Sequence, residues 1–253
     1  MRDIETPAIA PGAPASEADI AQVAAAIGDS SRAKVLLALA DGRVMPATAL
    51  AAEAGVSPST ISGHLTRLRE AKLLTVEHEG RHRYYRLAST DVARALEELA
   101  RVAQPLPVGS LRDSVRVRAL MRARLCYDHL AGRLGVALLA ALVDRGVLGR
   151  AGGGYEITEA GFGELAAFGV DAAGFSRRRP AVRYCVDWAE QRHHLAGALG
   201  EAVTGRLFAL DWLRRGRSRR VVTLSEAGET GLHEAFGLPR DWAGQDAAAA
   251  GRH

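Results

Sequence analysis

Two short stretches of this chain gather residues that can bind a metal or react with an oxidant. The first is Cys126-Tyr127-Asp128-His129, followed by Leu-Ala-Gly. The second is Cys185-Val186-Asp187, followed after a short insertion (residues 188–193) by His194 and again Leu-Ala-Gly. Thiolate, imidazole and carboxylate are the donors of zinc and other borderline-soft cations, which four such groups hold tetrahedrally. Two thiols whose Cα atoms come within about 7 Å can instead close into a disulfide. An organic effector lined by Cys126, Asp128, His129, Cys185, Asp187 and His194 is a third use. Packing is the plainest and stands first, since free cysteines are among the most buried residues and an Asp before a helix often serves only as its cap.

The elements that must position these groups are themselves duplicated. After Leu-Ala-Gly each copy runs into a helix carrying small residues, Ala131, Gly132 and Gly135 in one and Ala196, Gly197 and Gly200 in the other. A basic break follows. An extended segment then ends in Thr158-Glu159-Ala160-Gly161 or Ser225-Glu226-Ala227-Gly228, read as a turn. We expect Cys126, Asp128 and His129 within one turn of a helix. Small residues three apart let helices approach closely, so two half-domains, about 126–165 and 185–232, should pack through these helices with approximate two-fold symmetry. No Gly-rich phosphate loop or Gly-x-Ser-x-Gly occurs, and the chain is read as not an enzyme.

The first hundred residues have a different character. Ile20, Val23, Ala24 and Ile27 recur at helical spacing, and Asp29 or Ser30 can cap a second helix with Val35, Leu36 and Leu39 inward. Pro46 fits a first helical position, Gly55 a tight turn, and Ser57-Pro58 an N-cap followed by proline at N1. The helix that follows turns Ile61, Leu65 and Leu68 inward and leaves Ser59, Thr60, Ser62, His64 and Arg67 outside. Two helices joined by a glycine turn, the second opening in small hydroxyl residues, form a helix-turn-helix whose second helix enters the major groove. Residues 74–87 then read as a hairpin, a wing. Residues 57–87 hold six Lys/Arg against three Asp/Glu, with three histidines beside them, the footprint of phosphate binding.

The run LAAEAGVSPSTISGHLTRLREAKLLTVEHEGRHRYYRL resembles the winged-helix core of the ArsR family of bacterial repressors. That family's recognition helix reads S-x-S-T-x-S-x-H-L-x-x-L and its wing G-R-x-x-x-Y-x-L. The resemblance covers roughly residues 18–104. It implies a homodimer joined through the first and last helices of the domain, an inverted-repeat operator on double-stranded DNA, and release by an effector. Carried over residue by residue, Ser57, Ser59, Thr60, Ser62, His64 and Arg67 face the groove, while Arg81 and Arg83 meet the backbone or minor groove. Capping is the stronger role for Ser57. The stretch before the recognition helix, Pro46-Ala-Thr-Ala-Leu-Ala-Ala-Glu, lacks the thiols of the soft-metal sensors, and residues 91–104 lack the histidines of the zinc-type site. A metal or organic effector, if there is one, belongs to the duplicated region.

Composition agrees with two globular bodies: 253 residues, 48% hydrophobic and 25% charged, with a formal net charge of +4. The expected organisation is a disordered lead (1–16), a winged helix-turn-helix domain (17–104), a C-terminal duplicated domain (110–240) of two helix-hairpin repeats, and a tail (241–253), with the Pro-rich residues 104–109 as linker. The fold class is mainly α with small β-hairpins, α+β. No membrane span or signal peptide is evident, so the expected location is cytoplasmic. Arg-rich stretches at 177–179 and 214–220 can add contacts to the DNA backbone. The sequence thus reads as a dimeric DNA-binding transcriptional regulator, a repressor. The alternative is an effector-binding or structural protein with a vestigial helix-turn-helix.

Overall fold

The computed structural model describes residues 18–80, 82–104, 110–176, 179–216 and 220–243, apart from the side chain of residue 112. The expected lead, linker and wing-tip Arg81, and much of the two Arg-rich stretches, lie outside the described residues. The chain divides between Leu96 and Glu97 into two compact units.

In the first unit α1 (Ile20–Ile27) is capped by Asp19 and α2 (Ser30–Leu39) by Asp29, which accepts from the backbone N–H groups of Ser31 and Arg32. Arg32 turns back to donate to the carbonyls of Ala26 (2.5 Å) and Ala25 (2.8 Å), closing the α1–α2 corner. Pro46 is the N-cap of α3 (Ala47–Ala54) rather than its first residue, and with Met45 it forms a strand β1 (Met45–Pro46). This strand is too short for alternation to reveal. Gly55 ends α3 in the left-handed conformation (φ 71°), and α4 (Pro58–Glu70) starts from Ser57, whose side chain accepts from the Thr60 N–H. The wing consists of β2 (Leu74–Glu79) and β3 (His82–Leu87), and β1 adds to β3 to complete a three-stranded antiparallel sheet in the order β1-β3-β2. Val35, Leu36, Leu39, Leu50, Ile61, Leu65, Leu68 and Leu87 are the buried core. Helix α5 (Thr90–Val102) carries the chain across the division between the units.

The second unit follows α6 (Leu111–Arg122) with one pattern repeated: hairpin, helix, hairpin, helix. The first copy is β4 (Arg124–Cys126), β5 (His129–Ala131), α7 (Gly132–Asp144), β6 (Leu148–Ala151), β7 (Gly154–Ile157) and α8 (Glu159–Ala167). The second is β8 (Arg183–Val186), β9 (His193–Ala196), α9 (Gly197–Ala209), β10 (Leu213–Arg215), β11 (Val222–Leu224) and α10 (Glu226–Phe236). Leu134, Leu138, Leu142, Leu165, Leu199, Val203, Leu207 and Phe236 join in a single core drawn from both copies. With burial of a Leu or Phe side chain worth about 1.5–3 kcal/mol, this shared core holds the copies together.

Three expectations need correction. Cys126, Asp128 and His129 are not on a helix: Cys126 ends β4, Asp128 lies in the two-residue turn and His129 opens β5. Tyr127 takes the left-handed conformation (φ 62°) that such a tight turn demands. The Thr/Ser-Glu-Ala-Gly phrase begins a helix rather than ending a segment, because Thr158 and Ser225 are N-caps accepting from Gly161 N (2.9 Å) and Gly228 N (3.1 Å). The expected tail starts too early, since Trp242 is buried in the shared core, with the Arg122 guanidinium 4.8 Å above its ring.

Polar order in this unit centres on a fully buried Arg124. It bonds Glu97 (3.1 Å) and Asp187 (3.0 Å) and lies over the Trp188 ring, and Arg220 also pairs with Glu97. Truncating one member of a buried ion network strands the others, typically at a cost of about 3–5 kcal/mol. Arg124→Leu is therefore expected to destabilise this unit by about that amount. All three tryptophans, Trp188, Trp212 and Trp242, lie here, so guanidinium unfolding followed by their fluorescence reads the effect. A loss under about 1 kcal/mol would contradict the buried-network account.

Candidate functional site

Two sets of side chains have the means to do something. The first is the outer face of α4 and the wing. Ser57 is exposed but occupied: its hydroxyl lies 2.8 Å from that of Ser59 and 2.9 Å from that of Thr60 while capping the helix. Ser59, Thr60, Ser62 and Arg67 are exposed, with Ser62 donating back to the Pro58 carbonyl (3.3 Å). His64 differs, because its side chain is only 13% exposed and its Nδ1 is 3.9 Å from Asp29 at the start of α2. The Arg32 backbone N–H, against slight burial and aided by the Arg32 guanidinium, holds Asp29 below the usual carboxylate range. Arg83 is exposed on β3 opposite His78, whereas Arg86 is drawn into a 2.8 Å pair with Glu77.

The second set is in the duplicated unit. Antiparallel register places Cys126 opposite His129 across β4–β5 and Cys185 opposite His194 across β8–β9, so each hairpin presents one thiol and one imidazole side by side. Across the copies, α7 packs on β9, α9 on β5, and β5 beside β9. The copies therefore meet mainly through each helix on the opposite hairpin, not through the helix-on-helix contact that the spacing of the small residues led us to expect. A Cβ on Gly135 would stand 2.5 Å from the Leu130 carbonyl oxygen and 3.4 Å from the His194 Cβ; one on Gly200 would stand 2.9 Å from the Leu195 oxygen and 3.2 Å from the His129 Cβ. Each glycine thus lets its helix lie against the carbonyl of its own hairpin, with the other copy's histidine alongside.

The result is one cluster. The ligand atoms of Cys126, His129, Cys185 and His194 all lie within 4.8 Å of one another, and all four residues are buried. The imidazoles stack with centroids 5.2 Å apart. His129 Nδ1 is 2.9 Å from Asp128, which Arg179 holds from its other oxygen at 2.8 Å. His194 Nδ1 lies 3.8 Å from Asp187, which Arg124 holds. His129 Nε2 and both ring nitrogens of His194 are buried without a hydrogen-bond partner from the protein.

The cluster is electrostatically polarised. The neighbouring Cys185 sulfur and burial push the Cys126 thiol well up, while the Cys126 thiol and the two imidazoles, against burial, draw Cys185 down. Burial works against the charged form of His129, but Asp128 and the Cys185 sulfur outweigh it and raise His129 to about 9; burial keeps His194 low. Asp128 and Asp187 stay below the usual range despite burial, the first through His129 and Arg179, the second through Arg124 and backbone N–H groups.

Of the six residues singled out in the sequence, the structure brings the two cysteines and two histidines together and sets Asp128 and Asp187 one layer behind. His193 faces the other way, stacked on Tyr184 with ring centroids 3.9 Å apart. Sequence reasoning missed Arg124, Arg179 and Glu97. A partial signal was available: the repeated phrase is Arg-x-Cys-x-Asp in both copies, Arg124 to Asp128 and Arg183 to Asp187.

Known proteins resemble this chain in both units. A helix-turn-helix domain family matches residues 27–77. An uncharacterized HTH-type transcriptional regulator of Bacillus subtilis, YdfF, is 41% identical over 212 residues, 83% of this chain and 94% of its own length. So long a match extends well into the duplicated unit. The HTH-type transcriptional regulator CmtR of Mycobacterium tuberculosis is 41% identical over 86 residues, 34% of this chain and 72% of its own. Among solved structures, the homodimeric winged helix-turn-helix DNA-binding domain Mb0332 from Mycobacterium bovis is 30% identical and covers 34% of this chain and 85% of its own, with a TM-score of 0.30. A relative matched across almost its whole length, together with the winged helix-turn-helix, places this chain in the family of HTH-type transcriptional regulators, DNA-binding proteins of the ArsR-like kind.

Proposed function

We propose that this protein is a cytoplasmic, dimeric repressor that reads an inverted-repeat operator through α4 and the wing and is released when an effector occupies the duplicated unit. The observation that carries this reading is the outer face of α4, where Ser59, Thr60, Ser62 and Arg67 stand exposed in succession from a capped N-terminus. The first turns of such a helix present short hydroxyls and a long cation to base edges and phosphates. Arg83, and Arg81 beside it in the sequence, suit the backbone at the wing. His64, turned toward Asp29, positions the start of α2 against α4 more than it reads a base.

Dimerisation draws support from apolar side chains left in water. Ile20 on α1 is 75% exposed, and on α5 Leu99 is 46% and Val102 69% exposed. Large apolar residues left exposed on a helix suit an interaction surface, and a two-fold assembly would cover each of them. The chain acts by binding rather than by catalysis.

Two measurements test this. On its own promoter DNA, Arg67→Ala is expected to weaken binding by about 1–3 kcal/mol while leaving scrambled duplex much less affected. Arg83→Ala is expected to weaken all duplexes alike and lower the salt slope by about one. Wild-type affinity in Arg67→Ala would take α4 out of the groove. Sedimentation at micromolar concentration is expected to give a dimer that Ile20→Asp with Leu99→Asp converts to monomer, with protected half-sites about one helical turn apart in footprints. A double variant that remains dimeric would place the interface elsewhere.

A further inference from the structure

We infer that Cys126, His129, Cys185 and His194 form one tetrahedral site for a single zinc-class divalent cation, assembled from one Cys-His pair of each copy. Four observations carry it. The donors are two sulfurs and two imidazole nitrogens, the set zinc takes in closed sites. They converge within 4.8 Å, and tetrahedral bonds of the usual Zn–S and Zn–N lengths set ligands roughly 3.3–3.8 Å apart, a contraction of about 1 Å. His129 Nε2 and both ring nitrogens of His194 are buried with no partner in the protein, although neutral or charged ring nitrogens in such a place are normally bonded.

The fourth observation is the layer behind. Metal-bound histidines characteristically engage a carboxylate through the other ring nitrogen, which fixes the ring and leaves one nitrogen for the metal. Asp128 does this to His129 at 2.9 Å, and Asp187 stands 3.8 Å from His194 Nδ1. Each carboxylate is in turn anchored by an arginine near or in the opposite copy, Arg179 for Asp128 and Arg124 for Asp187. For His129 this leaves Nε2 for the ion, while both ring nitrogens of His194 are unbonded. Packing alone accounts for buried cysteines but not for two buried histidines with unbonded ring nitrogens converging on two sulfurs. A disulfide would use the sulfurs and leave the imidazoles unexplained.

The ion also supplies a chemical class for the effector, a step that rests on the regulator reading above. Binding to one unit of the chain would then shift affinity for the operator by the coupling free energy between the two sites.

The experiment uses the full chain, stripped with chelator under reducing conditions and titrated with Co(II) and then Zn(II). The expected result is one cobalt per chain, with intense visible d–d bands of tetrahedral geometry and near-ultraviolet sulfur-to-cobalt charge transfer, bleached by one equivalent of zinc. In the wild-type protein zinc is expected to protect both thiols from an aromatic disulfide reagent. Cys126→Ser and Cys185→Ser are each expected to lose much of the charge-transfer intensity, and Asp128→Asn, which touches no metal, to retain the spectrum with affinity lowered about 10–100-fold. Circular dichroism checks that each variant is folded. Octahedral weak bands, no thiol protection by zinc, or oxidant-driven loss of both thiols without metal uptake would overturn the site. These readings need no DNA. In a parallel titration on promoter DNA, unchanged affinity with and without zinc would overturn the effector role, whereas failure to bind promoter in any metal state would overturn the regulator reading instead.

Discussion

The carboxylate of Asp187 is the constraint on which the duplicated unit depends. It is fully buried, where an isolated charge would be very costly, and it is surrounded on every side. Its Oδ2 accepts from the Gly132 N–H at 2.7 Å, where α7 begins in the first copy; its Oδ1 accepts from the N–H groups of Ala189 (3.0 Å) and Glu190 (3.1 Å) in the second. Arg124 supplies the countercharge and shares it with Glu97. One side chain thus joins a helix start, a loop and two strands from both copies. Because Asp187 lies two residues after Cys185 and beside His194, the same fixings set where those two groups stand.

The cluster belongs to neither copy alone. A hairpin with a Cys and a His opposite each other offers two donors, and a half-domain of this size cannot bury them. Pairing two copies across β5 and β9 doubles the donors and seals them under a common core. Gly135 and Gly200 let each helix lie against its own hairpin's carbonyl, where the histidine of the other copy comes alongside. Duplication is therefore a route to a four-ligand site that needs only two residues to be placed correctly once.

Much of this was legible in the chain. The winged helix was readable because its signals are local: Asp29 and Ser57 as caps, Gly55 as a left-handed stop, helical spacing in α2 and α4. The repeat was readable because identical phrases need no structural theory. What failed was the conversion of the phrase into geometry. Cys-Tyr-Asp-His contains none of the glycine or asparagine that usually marks a two-residue hairpin turn, and Tyr127 adopts positive φ without them, so a hairpin passed for a helix start. The buried ion network was illegible for a different reason. Glu97, Arg124, Asp187 and Arg220 are distant in sequence, and nothing local distinguishes a buried arginine from the many on the surface.

The two copies are not equivalent, and the difference follows from the arginines. Register makes Arg124 and Arg183 counterparts, each two residues before a cluster cysteine and paired with the last residue of the following strand. Arg124 is fully buried and reaches across to Asp187, while Arg183 is exposed and Asp128 takes its cation from Arg179 instead. Asp187 consequently sits in a tight cage of backbone donors, and Asp128 in a hairpin turn beside an arginine that is nearly one-third exposed and also bonds Glu201. A buried charge with several fixed donors has little freedom to move, whereas a partly exposed arginine shared between two carboxylates can exchange one for the other at little cost. The His194 side of the cluster is therefore the rigid half and the His129 side the adaptable one, so a change in the cluster's contents is taken up mainly by the β4–β5 hairpin.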